Sequence, residues 1–234
     1  MSYKTRNINK LVINKQMALP LKFSTIKNRE NYLVSKCNLE AVKLIENSVF
    51  WKNKKKINSI PAAIIYGPKG SGKTHLSTIF RHNVNCTYLT SLTSNILEQI
   101  VEGRNFILDD FSPGARYQSE LVMHFINQVT YKEGSILFLS RLSPLEMNWT
   151  LPDLDSRIKS ILASEIKLPD DVILYSFIVK YSNEKKLFIS DKKLIYILER
   201  LDRSFASVIK VIDMLDTHSL ENKETVTYKN IKKY

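Results

Sequence analysis

The stretch AAIIYGPKGSGKTHLSTIF, Ala62 to Phe80, decides how the rest of the chain is read. Its first five residues form an apolar run of strand length, and its last six read as a helix. Between them, Gly67, Pro68, Lys69, Gly70, Ser71, Gly72, Lys73 and Thr74 follow the Gly-x-x-x-x-Gly-Lys-Thr spacing. That spacing has a mechanical basis: the glycines let backbone N–H groups turn inward around phosphates, and the following helix aims its positive end at them. Lys73 is expected to reach the β and γ phosphates of ATP or ADP, with Thr74 holding Mg²⁺ through its hydroxyl. The chain has 6 glycines, and three of them lie in this one loop, which argues against a chance match.

Working outward, NLEAVKLIENSVFW at 38–51 has apolar residues at helical spacing, with Asn38 as its expected N-cap. CTYLTS at 86–91 reads as a strand, SNILEQIVE at 94–102 as a helix, and NFILDD at 105–110 as a strand ending in two carboxylates. An amphipathic helix is expected over 117–132, where Leu121, Phe125 and Val129 share a face with Val122 and Ile126. SILFLS at 135–140 is a further apolar strand. Strands alternating with helices of this length predict an α/β fold, with a parallel sheet covered on both faces. From about Asp170 only helices follow, over 170–182, 190–201 and 204–217, so a small all-helical lid is expected after the core. The division expected is an arm at 1–23, a nucleotide-binding core at 24–168 and a lid at 169–234.

Asp109 and Asp110 end a strand where a Walker B carboxylate belongs. Asp109 would bind Mg²⁺, and Asp110 would orient an attacking water. Acidic pairs at strand ends are also common as solvated turn residues. SILFLS is the candidate for a strand inserted between the loop-bearing strand and this one.

The net charge of +12 invites a nucleic-acid reading, since lysines that neutralise phosphates release counterions. Lysine is spread from Lys4 to Lys233, however, and only WKNKKK at 51–56 is dense, as a solvated loop also would be. No stretch is long and apolar enough to span a membrane, and the basic N-terminus lacks the apolar core of a signal peptide, so a cytoplasmic location is expected. Cys37 and Cys86 stand apart in no metal or redox spacing, and His75, His82, His124 and His218 lack any ligand spacing.

From Gln16 onward these motifs resemble the AAA+ family, and within it the DnaA/Hda branch, which implies a parallel five-stranded sheet flanked by helices and followed by a small all-helical lid. GSGKTHL at 70–76, including His75, resembles that branch's extended phosphate loop, and FILDDF at 106–111 its Walker B segment. LPDLDSRI at 151–158 is similar to box VII, which implies that Arg157 is an arginine finger acting in trans on a neighbour's nucleotide. LDRSFASVIKVIDMLD at 201–216 resembles the sensor 2 region, which implies that Arg203 contacts nucleotide from the lid. Without the resemblance, both arginines read as solvated surface residues. One departure stands out: the sensor 1 position, Ser140, is followed by Arg141 where the family carries an acidic residue. Weak or absent intrinsic ATPase activity is the expectation.

After the lid helices only ETVTYKNIKKY remains, room for one short helix and no DNA-reading domain, which favours an Hda-type regulator over an initiator. QMALPL at 16–21 resembles the sliding-clamp-binding peptide of such regulators, with Gln16 supplying amide hydrogen bonds and Leu19, Pro20 and Leu21 supplying apolar anchors. The resemblance implies a negative regulator of replication initiation that binds the DNA polymerase sliding clamp and, through Arg157, promotes hydrolysis of ATP bound to DnaA. DNA would be met indirectly through the clamp, and formation of a homodimer is left open. The alternative is a DnaA-like or helicase-loader-like ATPase acting directly on DNA.

Overall fold

The computed structural model describes residues 29, 32–47, 51, 62–222 and 225–231. The arm, QMALPL at 16–21 and most of the lysine-rich segment lie outside them.

Five parallel strands form the sheet: β1 (Ala62–Tyr66), β2 (Cys86–Leu89), β3 (Asn105–Leu108), β4 (Ile136–Ser140) and β5 (Leu162–Glu165). Their order is β2-β3-β4-β1-β5. β4 therefore sits between the loop-bearing β1 and the acidic β3, as expected of the inserted strand. All residues of β3 and β4 are buried, which is why both read as continuous apolar runs.

Helices cover both faces, and the two-residue period of the strands decides which side chain meets which helix. On one face Ile64, Phe106, Leu108 and Phe138 pack with Phe125 and Val129 of α4 (Ser119–Tyr131) and with Leu154 and Ile158 of α5 (Pro152–Ser160). On the other, Ala63, Ile65, Ile107, Leu137 and Leu139 pack with Ala41, Val42 and Ile45 of α1 (Leu39–Glu46) and Leu76, Ile79 and Phe80 of α2 (Lys73–Asn83). The helix α3 (Ser94–Glu98) lies between β2 and β3 in the chain.

Beyond β5 come α6 (Asp171–Glu184), α7 (Asp191–Leu198), α8 (Phe205–Asn222) and the short α9 (Tyr228–Ile231). Leu174, Ile178, Leu194, Ile197, Val208, Ile212, Leu215 and Ile231 give these helices a core of their own. Asp170 caps α6 by accepting from the Ile173 N–H at 2.8 Å. Among the described residues no helix is long and apolar enough to cross a membrane.

Three local expectations are corrected. Asn38 precedes α1 but its side chain turns backward, accepting from the Ser35 N–H and donating to the Leu33 carbonyl, each at 2.9 Å, so it secures the preceding turn instead of capping the helix. α1 ends at Glu46 and the chain leaves helical geometry at Asn47, so the expected helix is not continuous, while Trp51 is again helical and its indole donates to the Leu44 carbonyl at 2.9 Å. α3 stops at Glu98 because the chain must turn through Gly103 to enter β3. There the Arg104 N–H donates to the Val101 carbonyl at 3.3 Å, and the Gly103 N–H to that of Lys132 at 2.7 Å.

Candidate functional site

The C-terminal ends of β1, β3 and β4 converge on one edge of the sheet, the place where open α/β sheets bind ligands. Gly67 leaves β1 with its N–H donated to the Ser140 carbonyl at 3.2 Å, so the loop is tied to the end of β4. A Cβ on Gly67 would lie 2.1 Å from the Ile166 carbonyl oxygen, and only glycine permits that approach. Gly70 has φ 79 and meets the other side of the site: its carbonyl accepts from the Phe205 N–H at 3.3 Å, at the start of α8. The loop then runs through Gly72 into the 11-residue α2, whose first turn carries Lys73, Thr74 and His75.

Lys73 Nζ donates to the carbonyls of Gly67 and Pro68, at 2.7 and 2.8 Å. Burial lowers its pKa, against the opposing attraction of Asp109. Asp109 is fixed on both oxygens, by the Tyr88 hydroxyl and by the Asp110 N–H at 2.8 Å. Tyr88 is pushed to a higher pKa by burial and by that carboxylate. Asp110 has the left-handed φ of 52, and its carboxylate meets Arg116 at 2.5 Å and Arg141 at 3.1 Å. The hydrogen bond from Arg116 holds its pKa below the usual carboxylate range, with Arg141 adding to the effect. Ser140 is fully buried, and its hydroxyl accepts from the Leu142 N–H at 3.0 Å.

Gly70, Gly72, Lys73, Asp109, Asp110 and Ser140 line a cleft of about 430 Å³, within the range of small-molecule sites. Its lining is of two kinds. Lys69, Lys73, Thr74, Asp109, Asp110 and Arg141 are charged or hydroxylic, whereas Tyr32, Leu33, Phe177, Phe205 and Ile209 are aromatic or aliphatic. Tyr32 meets His75 edge-on at 5.1 Å, and Phe177 meets Phe205 at 5.0 Å. The residues fit a nucleotide with a divalent cation: an apolar wall for a base, a glycine loop with a lysine for phosphates, and a hydroxyl with a carboxylate for the metal. Ser71 in the same loop keeps its hydroxyl buried without a partner among the described residues.

Neither Arg157, expected to act on a neighbour's nucleotide, nor Arg203, expected to contact nucleotide from the lid, lines this cleft. Arg157 lies on α5, paired with Asn127 at 2.9 Å and Asp153 at 3.4 Å. Arg203 donates to both oxygens of Asp171 at 2.9 Å and leaves its Nε buried without a partner among the described residues. The structure adds Arg116, Tyr88 and the apolar wall, none of which the sequence singles out. Arg141 was visible only as a departure from the expected acidic residue.

The chain superposes on domain III of the replication initiation protein DnaA from Thermotoga maritima with a TM-score of 0.70, over 90% of this chain and 96% of that one, at 17% identity. The chain has the AAA+ fold. The T. maritima RuvB Holliday junction branch migration motor shares this AAA+ fold with a TM-score of 0.69, over 89% of this chain and 70% of that one, at 15% identity. AMPPCP-bound DnaA from Aquifex aeolicus matches with a TM-score of 0.59, over 83% and 67% of the two chains, at 23% identity. In sequence, an uncharacterized protein of Haemophilus influenzae is 24% identical over 94% of this chain and 98% of its own length. No protein-family model matches the chain.

Proposed function

We propose that this AAA+ chain is a nucleotide-dependent regulator of replication initiation, which binds ATP or ADP with Mg²⁺ in the cleft and offers Arg157 to ATP held by DnaA. The observation that carries the proposal is the cleft, where a glycine loop, Lys73 and an acidic pair share one space with an aromatic wall. Thr74 and Asp109 would hold the cation, whose charge would neutralise the phosphates. Lys73 would exchange its two carbonyl partners for phosphate oxygens, a stronger interaction because both groups are charged.

Support for action in trans comes from Arg157 itself. Its side chain is 40% exposed and, among the described residues, is paired with the exposed Asn127 and Asp153 outside the cleft. Such exposed contacts are weak enough to be given up to a neighbour's phosphate. A guanidinium suits that task because it is always charged and presents a planar fork of donors. The peptide at Gln16, Leu19, Pro20 and Leu21 would tether the chain to the sliding clamp and raise the local concentration of both partners.

The test is the hydrolysis of DnaA-bound ATP in the presence of clamp and DNA. Arg157→Ala is expected to lose the stimulation, which for arginine fingers amounts to roughly 10³-fold or more. A variant that stimulates as well as the parent would remove Arg157 from the mechanism, and a parent that does not stimulate would remove DnaA as the target.

A further inference from the structure

Nucleotide binding does not account for the way Asp110 is held. The residue leaves β3 with φ 52, a left-handed conformation that aspartate tolerates better than most side chains. Its two carboxylate oxygens then meet two different arginines. Oδ2 accepts from an Arg116 guanidinium nitrogen at 2.5 Å, and Oδ1 lies 3.1 Å from Arg141 Nε.

Both arginines are delivered by anchored backbone. Arg116 belongs to the loop between β3 and α4, where its carbonyl accepts from the Leu92 N–H at 2.9 Å. The next residue, Tyr117, is buried, and its hydroxyl donates to the Asp109 carbonyl at 2.7 Å. Arg141 directly follows the buried Ser140 at the end of β4 and lines the cleft beside Lys73. The adjacency of β3 and β4 thus brings two cations of separate origin onto one acid.

We propose that Arg116 and Arg141 form a clamp on Asp110 that withholds it from water, so that a nucleoside triphosphate in the cleft is cleaved slowly and persists as a bound ligand. The inference rests on the nucleotide-site reading above. In the reaction withheld, a water oxygen forms a bond to the terminal phosphorus as the bond from that phosphorus to the bridging oxygen breaks. The bridging oxygen leaves with the electron pair on the nucleoside diphosphate. The water's proton passes to an Asp110 oxygen and then to the released phosphate. Each guanidinium takes one acceptor position on its oxygen and draws the carboxylate toward the arginines, so the water must compete for the positions that remain.

Magnitude decides what kind of device this is. The side chains of Arg116 and Arg141 are 53% and 57% exposed, and exposed ion pairs are individually weak, so the clamp slows turnover by about tenfold and does not abolish it. A slow switch suits a regulator whose nucleotide sets its shape more than it suits a motor.

Single-turnover hydrolysis of Mg²⁺·ATP by the full chain tests the clamp, with the ATP dissociation constant of each protein measured alongside. R116Q/R141Q is expected to hydrolyse about tenfold faster than the parent. Adding Asp110→Asn is expected to return the rate to the parental level or below, which a merely structural effect of the arginines would not do. A double variant that binds ATP and hydrolyses it no faster overturns the clamp, as does a gain that survives Asp110→Asn. Where the double variant folds poorly, R116Q alone gives the same readout, with a gain of about threefold expected. No gain in that variant also overturns the clamp. A parent that binds no ATP is a different failure, because it overturns the nucleotide site itself.

Discussion

Lys73→Ala is expected to remove most of the thermal stabilisation that a nucleotide confers on this chain. Lys73 is the cation best placed for phosphate, since it is partly buried and reaches back over its own loop to Gly67 and Pro68. A hydrogen bond to a charged partner contributes roughly 1.5–3 kcal/mol, and two such contacts on phosphate oxygens make an affinity loss of about 100-fold a conservative expectation. A ligand that binds only the native state stabilises it by about 2.7 kcal/mol at a hundredfold excess over Kd, so the same concentration leaves the variant almost unprotected. For a chain of this length that difference is about 5–10 °C in Tm. The measurement is a melting curve of parent and variant with and without Mg²⁺·ATP. Equal ligand-induced shifts would mean that Lys73 does not touch the phosphates. Melting without ligand is expected to change little, because among the described residues the amine's hydrogen bonds are to carbonyls of its own loop.

Gly67→Ala is expected to act on the fold instead. The new Cβ would fall 2.1 Å from the Ile166 carbonyl oxygen and 3.1 Å from its carbon, both backbone atoms that no side-chain rotation can clear. The contact matters because the chain is pinned there from both sides. The Ile166 N–H donates to the Tyr66 carbonyl at 2.7 Å, and the Gly67 N–H to that of Ser140 at 3.2 Å. Gly67 also has φ 149, which L side chains rarely adopt. Relieving the clash means separating β1 from β5 or opening the loop, so a loss above about 3 kcal/mol is expected, among the larger effects of single substitutions. Chemical denaturation of the variant measures it. A midpoint within error of the parent would show that the end of β5 can move aside.

What the sequence made legible follows the physics of burial. β1, β3 and β4 are central strands of a parallel sheet, covered on both faces, and so they appear as apolar runs. β5, with the sequence LASE, is an edge strand with one buried residue among four, and neither alternation nor an apolar run marks it. It is a strand only because β1 offers its free edge, with Ile64 opposite Ala163. The glycine loop was legible because its chemistry is local. The clamp was not, because Asp110 and Arg141 are 31 positions apart and meet only where β3 lies against β4. Arg203 was legible as a motif residue, but its partner Asp171 is set by the packing of α8 on α6, which no spacing in the sequence reports.

The apolar wall follows the same logic. Tyr32 precedes α1, Phe177 belongs to α6, and Phe205 and Ile209 to α8, so the cleft is assembled from three distant parts of the chain. Any movement of α6 and α8 relative to the glycine loop would change the cleft at Gly70, where the Phe205 N–H and the Ser204 and Ala206 side chains approach.

The central claim is that this cleft holds a nucleotide, and equilibrium titration of the full chain with a fluorescent ATP analogue in the presence of Mg²⁺ tests it most directly. The account predicts saturable binding at one site per chain, displaced by ATP and by ADP. Fluorescence that fails to saturate, or that neither ATP nor ADP displaces, would contradict it.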